Sequence, residues 1–188
     1  MKKIFISILC FQLFFISLLA QNTTIPAVDK SPMDMSYYPN NFPVLKIQDK
    51  ATVPVVARVL YSRPQKSGRV VFGDLVKYGE VWRLGANEAT EIEFYKPVTI
   101  AGKKILKGRY TLYAIVNEAN WNFIVNKDVD TWGAFKYDVK KDVARINVPV
   151  QKMDNPVDSL AMYFEKTTSG CNLVVVWENI KTALPVTF

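Results

Sequence analysis

Apolar residues recur in this chain with a period of two, in short runs broken by turn residues. From Val53 to Tyr61, Val55, Ala57, Val59 and Tyr61 share one face, while Arg58 separates Val56 and Leu60 on the other. From Thr90 to Ile100, Ile92, Phe94, Val98 and Ile100 point one way, and Glu91, Glu93 and Tyr95 the other. Successive strand side chains alternate between faces, so this texture specifies half-buried strands. No segment sustains helical spacing for three turns, which excludes a helix bundle and leaves room for one short helical turn near Phe72–Tyr78.

Turn signals punctuate the runs. Ala101-Gly102-Lys103-Lys104 and Lys107-Gly108 bracket Ile105-Leu106, and Asn117–Asn120 turns the strand 109–116 into the strand 121–126. Lys127–Asp138 has no clean period and holds Trp132-Gly133, the mark of a long loop. Further strands are expected at 144–150, 160–165, 172–177 and 182–187, with Thr167–Gly170 as a hairpin turn. Spacing of about 8–12 residues between strands predicts an all-β fold: a single β-sandwich, jelly-roll-like or Ig-like, of about 8–10 mainly antiparallel strands. It should occupy residues 44–188, after an extended polar arm over 21–43 that carries Pro26, Pro32 and Pro39.

Compartment is written at the start of the chain. Met1-Lys2-Lys3 precedes an apolar run from Ile4 to Ala20, and a polar stretch follows. That order predicts a secretory signal peptide over residues 1–20, cleaved before Gln21, and hence a periplasmic or extracellular protein with no stable membrane insertion after cleavage. The run is too short to span a bilayer comfortably. Cys10 follows Leu9 in mid-run, which argues against a lipid-anchored precursor. Cys171 is then the one cysteine left, so the fold must stand on its core without an internal disulfide.

Composition removes whole classes of chemistry. The chain has no histidine, which excludes Ser-His-Asp and Cys-His nucleophilic catalysis and His-ligated metals. Asp128-Val129-Asp130 lacks the dense acidic loop of a calcium site, and neither a metal nor a cofactor is expected. Formal net charge is +7, spread along the chain with no long basic run, which excludes nucleic acid as a partner and leaves a solvated basic surface.

One segment is distinctive: Phe72-Gly73-Asp74-Leu75-Val76-Lys77-Tyr78-Gly79-Glu80-Val81-Trp82-Arg83-Leu84-Gly85-Ala86-Asn87-Glu88-Ala89-Thr90. With Tyr61–Pro64 upstream, Lys107–Tyr113 downstream, Trp132-Gly133, Lys141–Val143, Arg145 and the closing Val176–Asn179, it resembles the exported bacterial family called domain of unknown function 2911. The resemblance runs from about Ile47 to the C-terminus, and Trp82–Thr90 is its most specific part. It implies an exported β-rich domain and supplies no activity, cofactor or catalytic residue.

Read by its residues, the run Trp82, Arg83, Asn87, Glu88, Thr90 crowds aromatic, cationic, amide, acidic and hydroxyl groups beside the small residues Gly85 and Ala86. An aromatic face flanked by planar hydrogen-bonding groups suits a sugar ring or small polar ligand. Arg63, Trp132 and Arg145 are expected neighbours of that surface. The competing reading is a structural corner in which Trp82 caps the core and Arg83 pairs with Glu88. Trp121 and Trp177 lie in strands and are expected in the core. Asp74, Glu80, Glu88 and Asp142 could serve carboxylate catalysis by number, but nothing in the sequence pairs them at the separation glycoside hydrolysis needs. The expected function is therefore a non-catalytic binding domain of the cell envelope for a glycan or small polar ligand. A structural domain docking an envelope protein is the alternative, and a carboxylate-dependent hydrolase the more remote one.

Overall fold

The computed structural model describes residues 25–188; the expected signal peptide and its cleavage point lie outside the described residues. The described residues are 53% strand and 5% helix, with antiparallel sheets packed together as an all-β sandwich. The strands are β1 (Met33–Tyr38), β2 (Ala57–Ser62), β3 (Val81–Trp82), β4 (Glu91–Phe94), β5 (Val98–Ile100), β6 (Lys103–Ile105), β7 (Gly108–Val116), β8 (Asn120–Asn126), β9 (Asp142–Pro149), β10 (Gln151–Lys166) and β11 (Gly170–Thr187). One sheet has seven strands in the order β1-β2-β4-β7-β8-β9, with β3 also on β7; the other has four, β10-β11-β5-β6.

Several elements differ from the sequence reading, each for a physical reason. The segment expected to be an arm is part of the sheet: Met33–Tyr38 pairs antiparallel with β2, from Met33↔Ser62 to Tyr38↔Ala57. It is an edge strand, whose one solvated side needs little apolar patterning. The helical turn expected near Phe72–Tyr78 is instead irregular, closed by a bridge between Phe72 and Val76. A six-residue helix, α1 (Phe42–Ile47), forms within the expected boundary zone, with Pro43 in its first turn. None of its residues is buried, so it left no periodic signature.

The run Thr90–Ile100 is two strands in different sheets. β4 ends at Phe94, the chain crosses through Tyr95-Lys96-Pro97, and β5 begins at Val98. Phe94 and Val98 are an even number of residues apart, so Ile92, Phe94, Val98 and Ile100 all bury in the same core from opposite sheets. The alternation survives the crossing and hides it. Conversely, the two strands expected at 172–177 and 182–187 are one, β11. The polar interruption at Glu178 lies within it: Glu178 has φ 52° and pairs with Val157 between two register shifts whose extra residues fall on β10, and its carboxylate reaches Lys66 at 2.9 Å.

A single core fills the space between the sheets. At one end four aromatic rings meet. Trp82 and Trp177 stack with centroids 6.0 Å apart and planes 19° off parallel. Trp121 stands edge-on to Trp82 at 5.8 Å, and Phe72 touches Trp121 at 5.1 Å. This joins β3 and β8 of one sheet to β11 of the other, and to the 69–78 loop.

Along one flank the open edge of β10 is capped by side chains from the large sheet. Arg63 Nε donates to Leu160 O at 3.0 Å, Ser36 Oγ to Met162 O at 2.6 Å, and Asn40 Nδ2 to Phe164 O at 2.9 Å. Tyr61 hydroxyl does both jobs at Met162, accepting from its N–H at 2.9 Å and donating to its carbonyl at 3.2 Å. Edge groups occupied in this way cannot template another strand. Tyr61→Phe should orphan the buried Met162 N–H and cost about 1–3 kcal/mol, read as a lowered midpoint in chemical denaturation.

Candidate functional site

β3 and β4 lie on the same edge of β7: Trp82 faces Ala114 and Glu91 faces Thr111. They are one strand line from which residues 83–90 loop out. Thr90 N–H donates to Arg83 O at 3.0 Å and closes the base of the loop, and Leu112 N–H donates to Thr90 O at 2.8 Å, resuming the ladder. Inside the loop, Thr90 Oγ1 donates to Leu84 O at 2.7 Å and Trp82 Nε1 to Gly85 O at 3.0 Å. Ser62 Oγ accepts from Ala86 N–H at 3.0 Å and donates back to Ala86 O. Leu84 and Asn87 hold left-handed backbone, at φ 56° and 58°, which a bulky residue such as leucine adopts only when its surroundings demand it. A Cβ on Gly85 would lie 3.2 Å from Ser62 Oγ, a tight contact that glycine avoids where the loop approaches β2.

The expected site residues therefore separate. Trp82 and Thr90 are buried, Trp82 within the aromatic cluster and Thr90 as a backbone brace. For the structural-corner reading, Trp82 is enclosed by the aromatic cluster and only 9% exposed. The ion pair of that reading does not form: Arg83 Nη1 donates to Asn87 O at 3.1 Å, and Glu88 is exposed. Arg63 is the strut to Leu160, with its guanidinium 3.0 Å from Asp34. Arg145 lies on β9, held by Asp142 at 2.7 Å and by Tyr137 hydroxyl, and is not among the residues bordering the groove at Trp132.

Two residues of the set do come together. The loop 127–138 folds back over the outer face of the large sheet and pairs with the 83–90 loop. Ala89 N–H donates to Thr131 O at 3.0 Å and Gly133 N–H to Asn87 O at 2.9 Å, with Glu88 and Trp132 directly opposite in an antiparallel bridge. Opposed residues in such a pair project to the same side. Tyr113, Ile124 and Ala89 form a small second core beneath, and Tyr113 packs edge-on to Tyr137 at 5.3 Å.

Trp132 is 62% exposed and Phe135 82%. They flank a groove of about 410 Å³ bordered by Tyr113, Asp128, Asp130, Thr131 and Lys136. A smaller hollow, shared at Asp130 and Thr131, carries Glu88, Glu91 and Arg109. Arg109 draws in both Glu91 at 2.7 Å and Asp130 at 2.6 Å, and their hydrogen bonds raise its pKa further. Gly133 has φ 70°, which favours glycine, and a Cβ there would push the exposed Phe135 ring, 2.6 Å away, out of its place. Phe135 and Lys136 were not singled out in the sequence, and Asp130 only as part of a rejected calcium loop, because an aperiodic loop gives no face to read.

The family model for the protein of unknown function DUF2911 matches residues 46–186. The chain belongs to this family. Comparison with the curated proteins and comparison with the solved structures both return no match. The stretch matched to the DUF2911 family includes both loops of the groove and leaves out β1, although β1 completes the sheet.

Among the described residues of this DUF2911 domain, no group of three or more His, Cys, Asp or Glu is placed to hold a metal ion. Burial pushes the Cys171 thiol up to about 12, which keeps it from forming the reactive thiolate. Burial, and then the hydrogen bond to Asp142, raise the Tyr137 hydroxyl from its usual 10 to about 12. The folded protein therefore holds a proton that the unfolded chain releases, so stability is full below pH 10 and falls as pH rises from 10 through 12. Denaturation midpoints measured across that range should fall, and less steeply in Tyr137→Phe. Ser62→Ala, which orphans Ala86 N–H beneath the 83–90 loop, should cost about 1–3 kcal/mol, measured by thermal unfolding at neutral pH.

Proposed function

We propose that this protein is an exported, non-catalytic binding domain of the cell envelope that holds a sugar ring or similar small polar ligand against Trp132. The observation that carries the reading is the pairing of Trp132 with Glu88: an exposed indole and an exposed carboxylate project to one side of a fixed two-stranded bridge. Sugar rings offer an apolar C–H face and a rim of hydroxyls, which match an aromatic plane beside an acceptor. Phe135 adds a second aromatic surface, and Lys136 and Asp128 supply donor and acceptor at the groove wall.

Binding without turnover fits the carboxylates. Asp142 is taken up by Arg145, Tyr137 and Asn126, Asp74 pairs with Lys77, and Glu80 lines neither hollow beside Glu88, so none of that set is placed as its acid partner. The Lys2-Lys3 start and the Ile4–Ala20 run support export. N-terminal sequencing of the exported protein should read Gln-Asn-Thr-Thr.

A screen of neutral mono- and oligosaccharides against the exported chain tests the reading, followed by calorimetric titration of each hit. Trp132→Ala should weaken binding at least ~10-fold while changing stability by no more than about 0.5 kcal/mol, as surface substitutions do. Unaltered affinity in Trp132→Ala would remove the groove as the site.

A further inference from the structure

The arginines divide into two groups. Arg58, Arg63, Arg109 and Arg145 each hold a carboxylate at 2.6 to 3.0 Å. The remaining two, Arg69 and Arg83, have no carboxylate within ion-pair distance among the described residues, and both line the same hollow of about 200 Å³. Gly85 and Ala86 of the 83–90 loop line it, and Glu88 does not. Two uncompensated guanidiniums at one small concavity repel each other and raise the local potential, which an anion would relieve.

Backbone carbonyls orient both groups without neutralising them. Arg69 Nε donates to Lys66 O at 2.9 Å and Nη2 to Gln65 O at 2.5 Å, while Arg83 Nη1 donates to Asn87 O at 3.1 Å. Arg69 Nη1 and Arg83 Nε and Nη2 keep N–H groups with no acceptor among the described residues. The hollow is also lined by the stacked pair Trp82 and Trp177, with Leu75 and Val76 beside them. Its lining is thus cationic and planar in one part and apolar in another.

From this arrangement we propose that the hollow is a second ligand site, selective for the carboxylate of a small organic acid or acidic sugar. The guanidinium fork matches a planar carboxylate with two parallel hydrogen bonds, and the apolar lining receives the carbon body attached to it. Arg69 lies apart from the Trp132 groove, whereas Arg83 Nη1 shares the Asn87 carbonyl with Gly133 N–H of the groove wall, so Arg69 is the residue that separates the two sites. The position of Arg83 follows from the corner itself, where left-handed backbone at Leu84 is fixed by Thr90 and by Trp82 Nε1 on Gly85.

Tryptophan emission of the exported chain, titrated with glucuronate, benzoate, glucose and inorganic phosphate, tests the proposal. Saturable quenching by an acid and not by glucose is expected, weakening as salt rises. Arg69→Gln, an exposed position where folding is not at stake, and Arg83→Gln should each weaken acid binding at least ~10-fold, while Arg58→Gln should not. Response to glucuronate alone assigns an acidic sugar, and response to both acids a broader range of carboxylates. Response to phosphate but to neither acid, absence of any saturable response, or full affinity in both Arg69→Gln and Arg83→Gln would overturn the site. Loss of neutral-sugar binding in Trp132→Ala reports on the groove alone, so either site can fail without the other.

Discussion

Much of this structure depends on the contact between Trp82 and Trp177. The two indoles stack across the sandwich, and with Trp121 and Phe72 they lock β3, β8, β11 and the 69–78 loop to one another. Large aromatic side chains bury extensive apolar surface and add a geometric preference of their own, so this cluster sets where the strand line β3–β4 must leave the sheet. Trp82 cannot move toward solvent without opening the core. The residues after it must therefore loop outward, and the chain satisfies their backbone groups locally through Thr90, Ser62 and Gly85.

That looped-out segment divides the surface. Because its polar backbone is closed on itself, its charged side chains are left over for other use. Glu88 is carried to the outer side beside Trp132, and Arg83 to the hollow shared with Arg69. The loop 127–138 is held in place by pairing with this corner, by the small core around Tyr113 and Ile124, and by side-chain ties such as Thr111 Oγ1 to Asp128 O and Arg109 to Asp130. Both candidate surfaces thus rest on one bulge in one strand, and the dense polar run that stood out in the sequence serves chiefly to position its neighbours.

Legibility varied with how local the determining interaction was. The strand faces of Ala57, Val59, Tyr61, Ile92 and Phe94 could be read directly, because alternation records burial on a pleated surface. Trp121 and Trp177 could be placed in the core for the same reason. Trp82 was ambiguous: two strand residues followed by a bulge leave no period to extend. The sheet switch at Tyr95-Lys96-Pro97 was invisible because both halves keep the same parity. Arg145 and Arg63 stood among the site candidates as conspicuous charges, yet their partners Asp142 and Asp34 engage them through folding, and only Arg145's lies nearby in sequence.

Sequence by itself determined the class of the fold, the family, and the absence of imidazole chemistry, because each is a property of residue type and short-range order. Alternation needs only neighbours two apart, and a family motif needs only its own residues. Tertiary structure decided everything that depends on which surface a side chain reaches. Met33–Tyr38 became an edge strand through pairing with β2, Trp82 was consumed by Trp177 from the opposite sheet, and Glu88 met Trp132 across 44 residues of chain. Those outcomes follow from long-range pairing and close packing, where one partner's position carries no local signature in the sequence of the other.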